Sequence, residues 1–493
     1  MPTDRLRPLL AFGAGALTPL AFAPFHQSWI APLTLAAAFW LWLHARSVGG
    51  AARDGFLFGL GLFGLGVWWV FVSMHTYTGA GAGVAGLLTL LFVSVLALFP
   101  MLAAGSSRWL ADTDTPPWQP VLLYPAAWVA LEWLRGWIFT GFPWLQLGYS
   151  QTTAPLAGYL PVFGVLGASW VLALTAIVLV QLLRRQPLHR WVAAVVVLWL
   201  AGAGLHRIDW SEPAGPSLTV SLLQGNIPQE MKWRPESRRQ IVATYLEMTR
   251  QRWGADVIVW PETAVPYFHH QAKKDLLDPL QQEALRQGTN LLIGIPVKDG
   301  QGRYYNALVS LGKTPGMYFK RHLVPFGEYL PLRPLLGFFL ELIQFPMSDF
   351  TPGGDDQPPL RAAGHPLAPT ICYEDAFPRD TLRYLPQAAY IVNVSNDAWF
   401  GNTIAPAQHL QMAQARALEA GRYLLRATNT GLTAVIGPHG RILAQAAPFV
   451  RTSLTATFVP LQGITPYVRW HDWPLAAAFA GLLIWGIAQR RKR

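Results

Sequence analysis

The chain has 493 residues, enough for more than one domain. With 52% hydrophobic residues against 13% charged, 22 Trp and a mean hydropathy of +0.26, its composition belongs with membrane proteins and excludes an ordinary soluble enzyme. The net charge of +11 does not mark a nucleic-acid surface, because from Ile208 to Trp473 the 24 Lys and Arg nearly balance 22 Asp and Glu, and the excess lies in the hydrophobic portions and their flanks.

Arg5 and Arg7 precede an apolar run ending near Ala21-Phe22-Ala23. It has the outline of a signal peptide, but Pro24 and further apolar segments follow, so we read it as a retained first helix. Eight stretches are candidates to span a bilayer: 8–25, 29–45, 55–74, 83–105, 119–135, 161–183, 190–206 and 474–489. If odd-numbered helices run outward, Arg5, Arg7, Arg46, Arg53, Arg108, Arg184, Arg185, Arg190 and the tail Arg490-Arg491-Lys492-Arg493 all fall inside. The short outward loops then keep Arg135, with Arg207 and Arg469 at the edges of the large domain. The positive-inside rule therefore predicts cytoplasmic termini and an outward segment from about 208 to 473.

Glycines recur in the third and fourth stretches, from Gly55 to Gly66 and from Gly79 to Gly86, a pattern of close helix packing. Charge inside the helices is scarce, chiefly Glu132 with Arg135 one turn on, a spacing that permits a pair on one face. A transporter would carry more.

Past Trp210 the pattern becomes α/β. Strands are predicted from Leu218 and at 257–259, 290–296, 304–311, 366–371, 389–394, 424–428, 432–437 and 451–458, with helices over 236–252, 276–288 and 403–421. The expected domains are thus 1–207 with seven helices, 208–473 with an α/β fold outside the cytoplasm, and 474–493 with an eighth helix and a basic tail.

Within the α/β part lies the only cysteine, in Pro369-Thr370-Ile371-Cys372-Tyr373-Glu374-Asp375, where a strand can hand a thiol to a loop. One cysteine allows no intramolecular disulfide, and alone it is as well explained as a small buried hydrophobe. Two other segments give it company. Val259-Trp260-Pro261-Glu262 is a strand broken by proline with a carboxylate just beyond, and Tyr318-Phe319-Lys320 ends another run, with Pro325-Phe326-Gly327-Glu328-Tyr329 after it. Glu262, Lys320 and Cys372 are far apart in sequence, so only a fold can bring them together.

These WPE, FK, PFGEY and CYE segments resemble the Glu-Lys-Cys triad of the nitrilase (carbon–nitrogen hydrolase) superfamily, and with hydrophobic segments on both sides the whole chain resembles the bacterial apolipoprotein N-acyltransferase family. The resemblance implies a membrane domain of about eight helices joined to an αββα sandwich of two sheets faced by helices. It implies acyl transfer from a phospholipid, through a thioester on Cys372, to the α-amino group of a diacylglyceryl-modified apolipoprotein cysteine. Glu262 is then the expected general base and acid. Lys320, with the N–H that follows Cys372, is the expected stabiliser of the oxyanion.

By the same resemblance Glu328 supports the lysine, Tyr373 and Glu374 shape the pocket, and Trp233 lies over the site. Ordinary loop polarity for Tyr373 and Glu374, and a core anchor for Trp233, remain open from the residues themselves. The Asn396–Gly401 and Asn429–Gly431 loops are expected to be scaffold. Pro331 to Pro346 is apolar enough for an arm dipping into the membrane interface, or for an internal core helix. No HExxH or paired-Cys spacing occurs, so neither metal nor cofactor is expected, and nucleic acid is not an expected partner. A membrane-anchored amidase that uses water as acceptor, or a non-catalytic membrane scaffold, would fit the same segments.

Overall fold

The computed structural model describes residues 5–77, 81–329 and 349–492. The chain divides into two compact units, one comprising Met1–Phe71, Gly81–Ile208 and Arg469–Arg493, the other Val72–Ala80 and Asp209–Val468. The proposed arm at 331–346 lies outside the described residues.

The first unit is helical. Helices occupy Arg7–Leu17, Ile30–Leu43, Val48–Gly66, Ala82–Leu110, Trp118–Arg135, Leu160–Leu183, His189–Leu205 and Trp473–Arg491. Two helical stretches, Ala82–Leu110 and Pro155–Leu183, are long and apolar enough to cross a membrane; a third qualifies if Val48–Gly66 and Trp69–Tyr77, bent by 55°, form one span. The expected count of eight spans is therefore not established by helix length and composition. The shortfall has local causes. The first stretch breaks into a 3₁₀ turn at Thr18–Ala21, and the second leaves a 14-residue helix, about 21 Å long against roughly 30 Å of hydrocarbon.

Close packing explains Gly55, Gly59, Gly61 and Gly66 of the third stretch, though not Gly64, nor Gly81 and Gly83 of the fourth. A Cβ on Gly61 would stand 2.2 Å from Phe12 O, and one on Gly59 would stand 2.7 Å from Ala97 Cα, whereas Gly81 and Gly83 face open space. Glu132 and Arg135 both turn to one loop. Glu132 Oε1 accepts from Leu147 N at 2.9 Å, and Arg135 donates to the carbonyls of Phe142 and Trp144 at 2.5 and 2.6 Å.

The second unit holds two six-stranded sheets. The first runs Thr452–Phe458, Leu218–Gln224, Val257–Val259, Asn290–Lys298, Tyr304–Leu311, Gly316–Phe319; its second, third and fourth strands are parallel and the outer pairings antiparallel. The second runs Ile442–Gln445, Ala434–Ile436, Leu424–Thr428, Tyr390–Ser395, His365–Ile371, Leu360–Ala362, again with a parallel centre.

Side chains alternate across these strands. Val257 and Val259 join Leu222, Leu292, Ile371 and Val392 in the core between the sheets, while Ile258 and Trp260 point the other way, against the helices Arg238–Arg250 and Asp278–Gln287. Helix Ala405–Ala420 packs Leu410, Ala413 and Ala417 against the second sheet. Burial on both faces is why the central strands read as unbroken apolar runs. Within the same unit, Val72–Tyr77 packs on the Asp397–Phe400 turn: Ser73 Oγ donates to Trp399 O at 2.8 Å and the Tyr77 hydroxyl to Ala398 O at 2.6 Å.

Candidate active site

Each of the three triad residues stands just past the end of a strand, and the two sheets bring them together. Lys320 follows Gly316–Phe319 and is fixed by its own N–H, which donates to Asn306 O at 2.8 Å. Its Nζ lies 2.8 Å from Glu328 Oε2 and 3.6 Å from Glu262 Oε1, and the side chain is 1% exposed. Burial opposes the charge on Lys320, but Glu328, Glu262 and Cys372 outweigh it, so its pKa is raised and it stays an ammonium. Asn306 Nδ2 bridges the two carboxylates, donating to Glu262 Oε1 at 2.7 Å and to Glu328 Oε1 at 3.2 Å. Glu328 Oε2 also accepts from Val324 N at 2.8 Å.

Cys372 ends His365–Ile371 and opens a 3₁₀ turn. Burial pushes its thiol well up, the Glu262 carboxylate pushes further, and Lys320 pulls the other way. The resting group is thus a thiol. Its backbone is in the left-handed region at φ +54°, as are Thr263 beside the general-base candidate at +45°, Phe326 between Lys320 and Glu328 at +62°, and Asn226 at +52°. Such conformations cost about 1–3 kcal/mol each and collect where function demands a geometry.

The Cys372 turn is held from beneath. Its carbonyl accepts from Asn393 Nδ2 at 3.3 Å and lies 3.3 Å from His409 Nε2. His409 is clasped by Asp375 at 2.7 Å and Asp397 at 3.0 Å, and Arg426 binds both of these carboxylates. Burial and Arg426 oppose a charged imidazole, but the two aspartates prevail and raise His409 to about 9.

Glu374 is completely buried and ties the thiol segment to the lysine segment. It accepts from Tyr318 Oη at 2.8 Å, Arg321 N at 2.6 Å, His322 N at 3.2 Å and Ile371 N at 2.7 Å. Burial, and after it Asp380, raise its pKa. Tyr373 packs edge-on against Phe377 and His322. Trp233 is half-buried at the end of the short helix Gln229–Lys232 and is connected to the cluster through its neighbour Lys232.

That neighbour was not foreseen from sequence. Lys232 is buried, and its Nζ donates to Glu262 O at 3.1 Å. Its only local signal is a lysine set among Met231 and Trp233. Asn306 was also missed, although a polar residue in the apolar strand Tyr304–Leu311 was a usable sign. The two asparagine loops brace the Lys232 segment: Asn396 donates to Gln229 Oε1 at 2.7 Å, and Asn429 exchanges bonds with Ile227 at 2.7 and 2.9 Å.

The arrangement brings a thiol, a carboxylate and a fixed cation into one cluster, groups of the kinds that acyl transfer uses. Comparison with known proteins agrees. Residues 14–178 match the family model of the apolipoprotein N-acyltransferase N-terminal domain, and 219–467 match that of carbon-nitrogen hydrolase. The chain is 51% identical to the apolipoprotein N-acyltransferase of Methylococcus capsulatus, over 98% of this chain and 96% of that one. It is 45% identical to that of Pseudomonas syringae pv. tomato, over 98% and 97%. Among solved structures, the C. elegans NitFhit protein is similar over 52% of this chain and 63% of its own, at 16% identity and a TM-score of 0.40. A relative identical at half of all positions along nearly the whole length leaves one assignment: the chain belongs to the apolipoprotein N-acyltransferase family.

Proposed function

We propose that the protein moves an acyl chain from a phospholipid, through a thioester on Cys372, to the α-amino group of the diacylglyceryl-cysteine of apolipoproteins. The observation that carries this reading is the convergence of Glu262, Lys320 and Cys372 in a chain of this family. Glu262 takes the proton from Sγ as sulfur attacks the ester carbonyl, forming a C–S bond. The oxyanion is met by Lys320 Nζ and the N–H of Tyr373, and loss of one such donor commonly costs about 10²–10³ in rate. Collapse breaks the C–O bond, and Glu262 returns the proton to the departing alkoxide, which leaves as lysophospholipid.

In the second step the neutral amine attacks the thioester. A C–N bond forms, the C–S bond breaks, and the amine's proton passes through Glu262 to sulfur. The raised thiol pKa suits this scheme, because a base acting during attack needs no standing thiolate. Glu328 keeps Lys320 charged, Glu374 and Tyr373 shape the loop, and Trp233 covers the site. Eight spans, both termini in the cytoplasm and the 208–473 domain on the periplasmic face would confine enzyme and both lipid substrates to one leaflet, raising their effective concentration.

Mass spectrometry of Cys372 after incubation with phospholipid tests the proposal. The expected result is one acyl adduct that persists until an amine-bearing lipopeptide is added. Absence of the adduct, or full transfer by Cys372→Ala, sinks it; discharge at the same rate without lipopeptide makes the protein a hydrolase.

A further inference from the structure

The Glu262–Lys320–Cys372 cluster contains a second buried lysine. Lys232 is 3% exposed and ends the helix Gln229–Lys232, and its Nζ donates to the main-chain oxygen of Glu262 at 3.1 Å. Nothing about this contact is loose. Asn396 Nδ2 bonds Gln229 Oε1 at 2.7 Å, Asn429 Nδ2 bonds Asn396 Oδ1 at 3.1 Å, and Ile227 N donates to Asn429 Oδ1 at 2.9 Å, so the second sheet's loops pin the segment that carries the lysine. The Glu262 backbone is also pressed against Gly294, where a Cβ would stand 2.3 Å from Pro261 O and 2.8 Å from Glu262 Cα.

We propose that Lys232 is a positioning residue and the second cation of the site: it fixes the Glu262 segment through its carbonyl, and its charge favours the thiolate of Cys372. This rests on the reading of Cys372 as the nucleophile.

The charge balance supports it. Glu262 and Glu328 bring two negative charges, and Lys320 alone offsets one; with Lys232 the cluster around a neutral thiol is balanced. The groups whose charges act on Cys372 include Glu262, Lys320, Asp397, Glu328, Arg426 and Lys232. Asp397 is committed to Arg426 and His409. Burial lowers Lys232 to about 8, with Glu262 and then Cys372 acting in the opposite sense, so its charge is present at neutral pH and lost in mild alkali. Lysine and thiol therefore titrate as a coupled pair.

The coupling has a signature that a purely structural lysine lacks. Cys372 is the only cysteine, so alkylation of the full-length protein in detergent by iodoacetamide reports one thiolate. At about pH 7 wild type and Lys232→Arg, both charged, are expected to react alike, and Lys232→Met about tenfold more slowly, the equivalent of about one pKa unit. At about pH 10 wild type has lost the charge, so Lys232→Met should match it while Lys232→Arg reacts about tenfold faster. His409 titrates in the same window in all three proteins and cancels from the comparison. Equal rates for all three at both pH values overturn the proposal, as does a slowing common to both variants. If Lys232→Met does not fold, the Arg variant's rate against wild type at high pH decides alone. Alkylation needs neither lipid nor acceptor, so a protein that forms no acyl adduct, which would sink the proposed reaction, still gives a readable answer here.

Discussion

At the scale of single residues, the strained backbone of Cys372 sets two effects against each other. With φ at +54°, any L side chain there carries a conformational penalty that glycine avoids. We therefore expect Cys372→Ala and Cys372→Gly to be equally inactive, but Cys372→Gly to be the more stable by about 1 kcal/mol, read as a higher melting temperature. A Cys372→Gly protein that melts below Cys372→Ala would mean that the site bears no backbone strain. Beneath the thiol, His409 gives a pH test. Its pKa rises from 6.5 to about 9 on folding, and at about 1.4 kcal/mol per unit that is on the order of 3 kcal/mol. Because the folded value is raised, the contribution is complete below pH 6.5 and disappears as pH climbs to about 9. Thermal melts across that range should fall for wild type and fall less for His409→Gln. The Glu262, Lys320 and Cys372 segments that the fold brings together were legible in sequence because each residue follows an apolar strand with a recognisable motif. Lys232 and His409 were not, since a lone polar residue carries no pattern until the fold shows what it touches.

At the scale of elements, strands buried on both faces were easiest to read, and Tyr304–Leu311 and Leu424–Thr428 fall within the predicted limits. Leu360–Ala362 and Ile442–Gln445 escaped because they are short outer strands, where exposure dilutes the apolar signal. Helices show a different limit: hydropathy located them, but breaks such as the one after Gly66 depend on packing. The third helix, Val48–Gly66, makes this testable with two of its own glycines. A Cβ on Gly61 would stand 2.2 Å from Phe12 O and 2.6 Å from Ala16 N, whereas one on Gly64 meets nothing within 4 Å. Gly61→Ala must push Arg7–Leu17 aside and should cost about 1–3 kcal/mol, while Gly64→Ala should be neutral or slightly stabilising. Melting of the detergent-solubilised protein separates the two, and equal melting temperatures would refute the reading of Gly61 as a helix contact.

At the scale of the whole molecule, composition and charge speak most directly, because they sum over many residues and tolerate local error. Twelve Lys and Arg fall on one side of the proposed eight-span layout, while the short loops on the other side keep Arg135. Helix length and hydropathy pick out two spans, or three with the bent pair, so the charge asymmetry must carry the topology. Its consequence can be measured in a Cys372→Ala background, which has no other cysteine. In the eight-span layout Thr140 and Gln301 face outward and Arg185 faces the cytoplasm, and all three are exposed. A membrane-impermeant maleimide applied to intact spheroplasts should label Thr140→Cys and Gln301→Cys within minutes, and label Arg185→Cys only after the membrane is opened. Labelling at 185 from outside would remove the even number of crossings between it and the cytoplasmic N-terminus, and with it the eight-span arrangement. Protection of 301 would do more damage, because it would move the thiol, the lysines and the carboxylates to the cytoplasmic side.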